Sequence, residues 1–187
     1  MKHGLMHAFG FVEAALFALG AGSAAADVVG PYYAPPSWDQ QLPASTRFVV
    51  LSNWVDASFP AGGAAVLDRE TGLVWERSPG TSTFNWSDAQ SLCNSLSTGN
   101  RLGWRLPTMQ DLASLMDPSV AGPGPTLPAG HPFQNVQQFF YWSATTDAAD
   151  ASIAWGVFFG NGGVAVSRKS SDQFFWCVRG GRGVDLQ

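Results

Sequence analysis

Cys93 and Cys177 are the only two cysteines in the chain, and they stand far apart. In an oxidising compartment such a pair most simply closes one disulfide, worth about 4–5 kcal/mol for so long a loop on the chain-entropy argument. The alternative is a thiol pair engaged in copper or redox chemistry. That chemistry normally uses a CxxC spacing or neighbouring soft ligands, and neither is present. A structural bond would close the chain into one compact domain, so the compartment becomes the next question.

The first 26 residues read as an export signal. Lys2 supplies a short positive region, residues 8–21 are mostly small and apolar, and Ser23-Ala24-Ala25-Ala26 offers an A-x-A cleavage site before Asp27. The apolar stretch is short and carries Glu13, which argues against a membrane span, and no cysteine near the cleavage site invites a lipid anchor. The expected localisation is therefore export, to the periplasm, the medium or the cell surface, with no membrane span after cleavage. Residues 27–60 read as an extended lead-in, 61–182 as the domain and 183–187 as a tail.

Cleavage leaves a net charge of −4, because it removes one base and one acid, and it leaves His131 as the single histidine. Nothing global draws such a chain to nucleic acid. Multi-His zinc sites are excluded. A Ser-His-Asp triad would have to recruit His131 from a Pro/Gly-rich loop, where a lone histidine reads as a solvated bystander. Residues 160–163, Gly-Asn-Gly-Gly, lie between two strand-like runs and read as a hairpin turn, not a phosphate loop. No cofactor is implied, and the chain reads as non-enzymatic. Eight Trp and thirteen Phe are a heavy aromatic load for 187 residues, and most of those rings are expected in the core.

Local patterns predict strands at 46–51, 64–68 and 73–76, the last two joined by a Gly-containing hairpin. A helix is expected over 86–96, capped by Asn85, with Ala89, Leu92, Cys93 and Leu96 on its inner face. Thr108-x-x-Asp111 announces a second helix, with Leu112, Leu115 and Met116 inward, ending by Asp117-Pro118. Residues 119–135 form a long Pro/Gly-rich loop of the kind that often binds. Strands follow at 139–145, 152–159, 164–169 and 174–179. Two helices followed by an antiparallel sheet predict an α+β fold.

The motifs Val66-Leu67-Asp68-x-x-Thr71-Gly72-Leu73-Val74-Trp75, Trp86-x-x-Ala89-x-x-x-Cys93, Trp104-Arg105-Leu106-Pro107-Thr108-x-x-Asp111-Leu112, Tyr141-Trp142-Ser143-Ala144-Thr145, Ala154-Trp155-x-Val157 and Cys177-Val178-Arg179-Gly180-Gly181 follow one another in order. Together they resemble the Lcl C-terminal domain family over about residues 64–181. The resemblance implies a C-type-lectin-like fold akin to the sulfatase-modifying-factor group, with two helices packed on a twisted antiparallel sheet, long loops, and a disulfide from the first helix to the last strand. It also points to a surface adhesin domain that binds sulfated glycosaminoglycans. The motif residues themselves read as scaffold. Trp75, Trp86, Trp104, Trp142 and Trp155 are expected in the core, and Arg105 and Arg179 beside buried acids such as Asp68, Asp111 or Asp117.

Function then falls to the loops at 119–135, 145–151 and 168–173, with Phe133, Asn135, Asp147, Arg168, Lys169 and Asp172 as candidate ligand contacts. The expected partner is a glycan or protein ligand at the cell surface. Sulfate recognition would need clustered bases, for which Arg101, Arg168, Lys169 and Arg182 are the candidates. Asp147, Asp150 and Asp172 are the nearest approach to a calcium cluster, without a recognisable ligand loop. A formylglycine-generating type of enzyme, using a reactive cysteine pair, and a structural envelope protein are the rival readings.

Overall fold

The computed structural model describes residues 42–181. The expected signal segment, residues 27–41 of the lead-in, Arg182 and the tail lie outside the described residues. The elements are α1 (Ala44–Arg47), β1 (Phe48–Val50), β2 (Ala65–Asp68), β3 (Val74–Glu76), α2 (Trp86–Ser95), β4 (Trp104–Arg105), α3 (Met109–Ser114), β5 (Phe140–Thr146), β6 (Ile153–Phe158), β7 (Gly163–Arg168) and β8 (Val178–Arg179). The fold is mixed α and β, with few helices. One expectation is corrected: the strands form two antiparallel sheets, ordered β1-β2-β3-β8-β4 and β5-β6-β7, instead of one.

The reason lies in residues 173–177. A strand was expected over 174–179, but only Val178–Arg179 joins a ladder. The residues before it cross between the sheets. Phe174 bridges Tyr141 and its carbonyl accepts the Trp142 N–H, while the Trp176 indole donates to the Glu76 carbonyl at 2.9 Å. A segment committed to both sheets cannot extend either one.

Local chemistry explains the helices. The Asn85 side chain accepts the Asp88 N–H and so caps α2, as expected. Ala89 and Cys93 are buried, but Leu92 is 37% exposed, because α2 packs its inner face on β4 and β5 along a narrow seam. At α3 the Thr108 hydroxyl accepts the Asp111 N–H, and the Asp111 carboxylate accepts the Thr108 N–H, a complete capping box. Leu112 and Leu115 are fully buried and Met116 packs at the core edge.

The expected strand at 46–51 is shorter. Pro43 opens a single helical turn at Ala44–Arg47, and β1 then pairs with β2, so residues placed in the lead-in belong to the sheet. Arg47 ends that turn with its guanidinium on buried Asp68, at 2.7 Å, and on the carbonyl of Ser114, the last residue of α3. Arg105 pairs with Asp111 at 2.8 Å, as expected of it. Among the described residues Arg179 takes no acid. It donates to the Leu102 carbonyl and lies over Trp54, and its partial exposure removes the need for a counter-ion.

Two apolar clusters fill the interior. One surrounds Trp75, Trp176, Phe133 and Tyr141, with Phe133 and Trp176 ring centroids 4.8 Å apart. The other surrounds the Cys93–Cys177 disulfide with Trp104, Trp142 and Leu106. Trp75, Trp104 and Trp142 are core as expected. Trp86 and Trp155 are only partly buried, since each sits at the margin of its packing layer.

Candidate functional site

The six predicted contact residues do not form one surface. Phe133 is corrected outright: it is 6% exposed, wedged between Phe48 and Trp176, because the Pro-rich loop drives this ring into the core. Asn135 is exposed with a left-handed backbone (φ 56°), and its amide donates to Ser78 Oγ at 2.9 Å. These two stand apart from the rest.

Asp147, Arg168, Lys169 and Asp172 gather at one end of the β5-β6-β7 sheet. Register pairs Ile153 with Arg168, and the Lys169 N–H donates to the Ser152 carbonyl, which brings the 147–152 loop beside the end of β7. Asp147 Oδ1 accepts the Ala149 and Asp150 N–H groups, so it closes its own turn. The Lys169 ammonium lies 4.0 Å from the Trp86 ring centroid and donates to Thr146 Oγ1 at 2.8 Å. Burial against that ring lowers its pKa. Arg168 and Asp172 are exposed. The acids Asp147, Asp150 and Asp172 are not gathered into a metal-binding group, and none of three or more such ligands occurs among the described residues. Of the other candidate bases, Arg101 stacks on Trp54 at 4.8 Å, so the basic residues are anchored on different tryptophans.

His131 departs from the solvated position expected of it. It stacks on Phe133 at 5.9 Å, burial lowers its pKa, and its Nδ1 has no hydrogen-bond partner among the described residues. Both cysteine sulfurs are joined to each other. Beside them, burial raises the Glu76 carboxyl to about 7 although it accepts the Cys177 N–H.

A concave site does occur where the long loop was expected to act. The loop folds back on the β6–β7 turn: the Gly124 N–H donates to the Gly160 carbonyl and the Thr126 N–H to the Phe159 carbonyl, both at 2.9 Å. The Asp117 N–H in turn donates to the Thr126 carbonyl. These bonds enclose a cavity of about 350 Å³ lined by Met116, Asp117, Val120, Thr126, Asn161 and Gly162, among others. Thr126 is 2% exposed, and its Oγ1 has no hydrogen-bond partner among the described residues. Ser119 donates twice to Asp117 Oδ1, through its hydroxyl at 2.6 Å and its N–H at 2.9 Å, which holds that carboxylate below the usual range and charged.

None of the cavity residues was singled out as a ligand contact from sequence. The loop and the Asn161-Gly162 turn were each legible, but nothing in the chain order says that they meet.

Fold and site together define a mixed α/β domain of two antiparallel sheets, stapled by one disulfide, with a small cavity under a Pro/Gly loop. Residues 64–179 match the Lcl C-terminal domain, and the chain belongs to that family. The match begins just before β2, so β1 adds an edge strand outside it. No curated protein matches the chain.

Proposed function

We propose that the chain is an exported, non-catalytic recognition module of C-type-lectin-like build that binds a glycan or another surface ligand through its loops. The observation that carries this reading is the folding of residues 119–126 onto the β6–β7 turn, which creates concave surface from backbone hydrogen bonds. Export fits the disulfide, which persists in oxidising compartments. No helix of the described residues is long and apolar enough to cross a membrane.

The disulfide also weighs against a formylglycine-generating type of enzyme, whose chemistry needs reactive thiols in one pocket. A purely structural envelope protein would have no use for a cavity under a folded-back loop. A glycan array probed with the folded, exported chain tests the proposal. Selective retention of one glycan class supports it, and no retention of any glycan, together with two titratable thiols in the native protein, sinks it.

A further inference from the structure

We infer that the outer edge of β7 is a self-pairing surface: two copies of the chain join there, antiparallel about a twofold axis, and Arg168 of each comes beside Asp117 of the other. The inference concerns assembly and stands apart from the choice of ligand.

Register fixes which groups β7 leaves open. The Lys169 N–H donates to the Ser152 carbonyl, and β7 then runs beside β6 from Ile153↔Arg168 to Phe158↔Gly163 without a shift. Bonded pairs alternate along such a ladder. Gly163, Ala165 and Ser167 therefore turn their main-chain groups to β6, while Val164, Val166 and Arg168 turn theirs outward. The three-stranded sheet ends at β7. Its opposite edge is covered, for Trp142 donates to the Phe174 carbonyl and Ala144 to the Pro107 carbonyl. No such bond reaches the outward N–H of Val164 or Val166 among the described residues. Strand edges that stay single are blunted by Pro, Lys or a bulge. Residues Gly163 to Ser167 carry none of these, and Val164 and Val166 are 44% and 42% exposed.

The pattern of β7 suits a second copy. In an antiparallel pair, outward residues meet outward residues. With Ala165 on the axis, Val164 faces Val166 of the other copy, and the symmetry makes that pairing twice. The same register sets Arg168 opposite Gly162 of the other copy. Arg168 shares a face of the sheet with Val164, whose ladder partner Val157 packs in the core. That face is also the cavity's. A Cβ on Gly162 would lie 3.8 Å from Met116 Sδ, and Met116, Gly162 and Asp117 line the cavity together.

Charge completes the fit. Ser119 holds Asp117 charged, Arg168 is exposed, and neither is in an ion pair among the described residues. The Asp150 carboxyl of the same copy, lowered first by its Ser152 bonds, feels Arg168 only as a lesser charge. Across the axis Arg168 meets an acid at each end, and the two Arg168 side chains stand at opposite ends of the strand pair. A strand of 6 residues offers a contact at the low end of protein interfaces, so the dimer is a reversible one.

Sedimentation of the full exported chain over a concentration series tests this, with amide hydrogen exchange followed by NMR at Val164 and Val166. The expected result is a monomer–dimer equilibrium in which those amides are protected only where the dimer is populated. Val166→Pro removes one outward N–H from each copy and leaves the bonds to β6 in place. It should weaken the dimer about thirtyfold, the equivalent of two hydrogen bonds by symmetry. Arg168→Asp, on an exposed side chain, should weaken it about tenfold, and adding Asp117→Arg should restore it.

A monomer at every concentration overturns the inference. Freely exchanging amides would then leave the edge to a foreign strand, and protected ones would mean that another part of the chain covers it. An assembly other than a dimer overturns it too, as does a dimer that Val166→Pro leaves intact. Loss in Arg168→Asp without rescue by Asp117→Arg rules out this register, and the inference falls.

Discussion

The carboxylate of Glu76 accepts the backbone N–H of Cys177 at 3.0 Å, and the Glu76 N–H donates to the Cys177 carbonyl at 3.3 Å. An acid on β3 is thereby set against one half of the disulfide, at the point where the chain crosses between the sheets. Burial outweighs the hydrogen bond and raises its pKa to about 7, with the nearby Asp56 charge pushing the same way.

That carboxyl makes stability depend on pH. A folded pKa raised above the unfolded 4.5 means that the folded chain holds the proton more tightly. The stability it contributes is fully present below pH 4.5 and is lost as pH rises through 7. The residue keeps some solvent exposure, so the loss should be about 2 kcal/mol, less than full burial would give. Glu76→Gln retains an acceptor for the Cys177 N–H and cannot ionise. Urea unfolding at several pH values should show the variant lacking the decline that Glu76 imposes on the parent chain; matching slopes would refute it.

The disulfide should be the largest single contributor to stability. With its ends 84 positions apart in sequence, the chain-entropy argument assigns it about 4–5 kcal/mol. Replacing both cysteines by Ala should lower the urea midpoint accordingly, and reductant should do the same to the parent. The native chain should show no thiol to a titrating reagent until it is unfolded and reduced.

Asp68 is fully buried and carries the Arg47 guanidinium on both oxygens, at 2.9 and 2.7 Å, as well as the Glu70 N–H. Truncation to Ala strands a buried cation. Glu70 also contacts Arg47, at 3.1 Å, and offsets part of the loss. Asp68→Ala should therefore cost about 3 kcal/mol in chemical unfolding, near the lower end for a broken buried pair. A cost under half of that would mean that Glu70 replaces it fully.

Phe133 separates a core residue from a contact residue. As the ring between Phe48 and Trp176, it should cost about 3–5 kcal/mol on truncation to Ala. Asn135→Ala, two residues on, loses one exposed hydrogen bond to Ser78 and places Ala in left-handed backbone, so it should cost about 1–2 kcal/mol, less than the ring. Similar melting temperatures for the two variants would return Phe133 to the surface.

Much of the local structure could be read from short patterns, because caps and turns act within a few residues. Asn85 and Asp88, Thr108 and Asp111, and the Gly72 turn were each visible as residue pairs and are each realised as hydrogen bonds or left-handed backbone. The pairing of Arg105 with Asp111 belongs to the same class, six residues apart. Phe133 misled because an aromatic in a Pro/Gly loop looks alike whether the loop stands off the core or folds onto it. The single-sheet expectation failed for a related reason. Residues 174–179 have one strand-like pattern, but they satisfy two different sheets in turn.

By itself, the order of residues determined the caps, the hairpins, the family motifs and the expectation that two lone cysteines would join, since each depends on neighbours along the chain or on there being only one partner. The division into two sheets, the burial of Phe133, the setting of Glu76 against Cys177, and the cavity under the Pro/Gly loop were decided by tertiary structure. Those depend on which distant segments share a volume: the Gly124 and Thr126 N–H groups reach the β6–β7 turn more than thirty residues away, and no local pattern carries that distance.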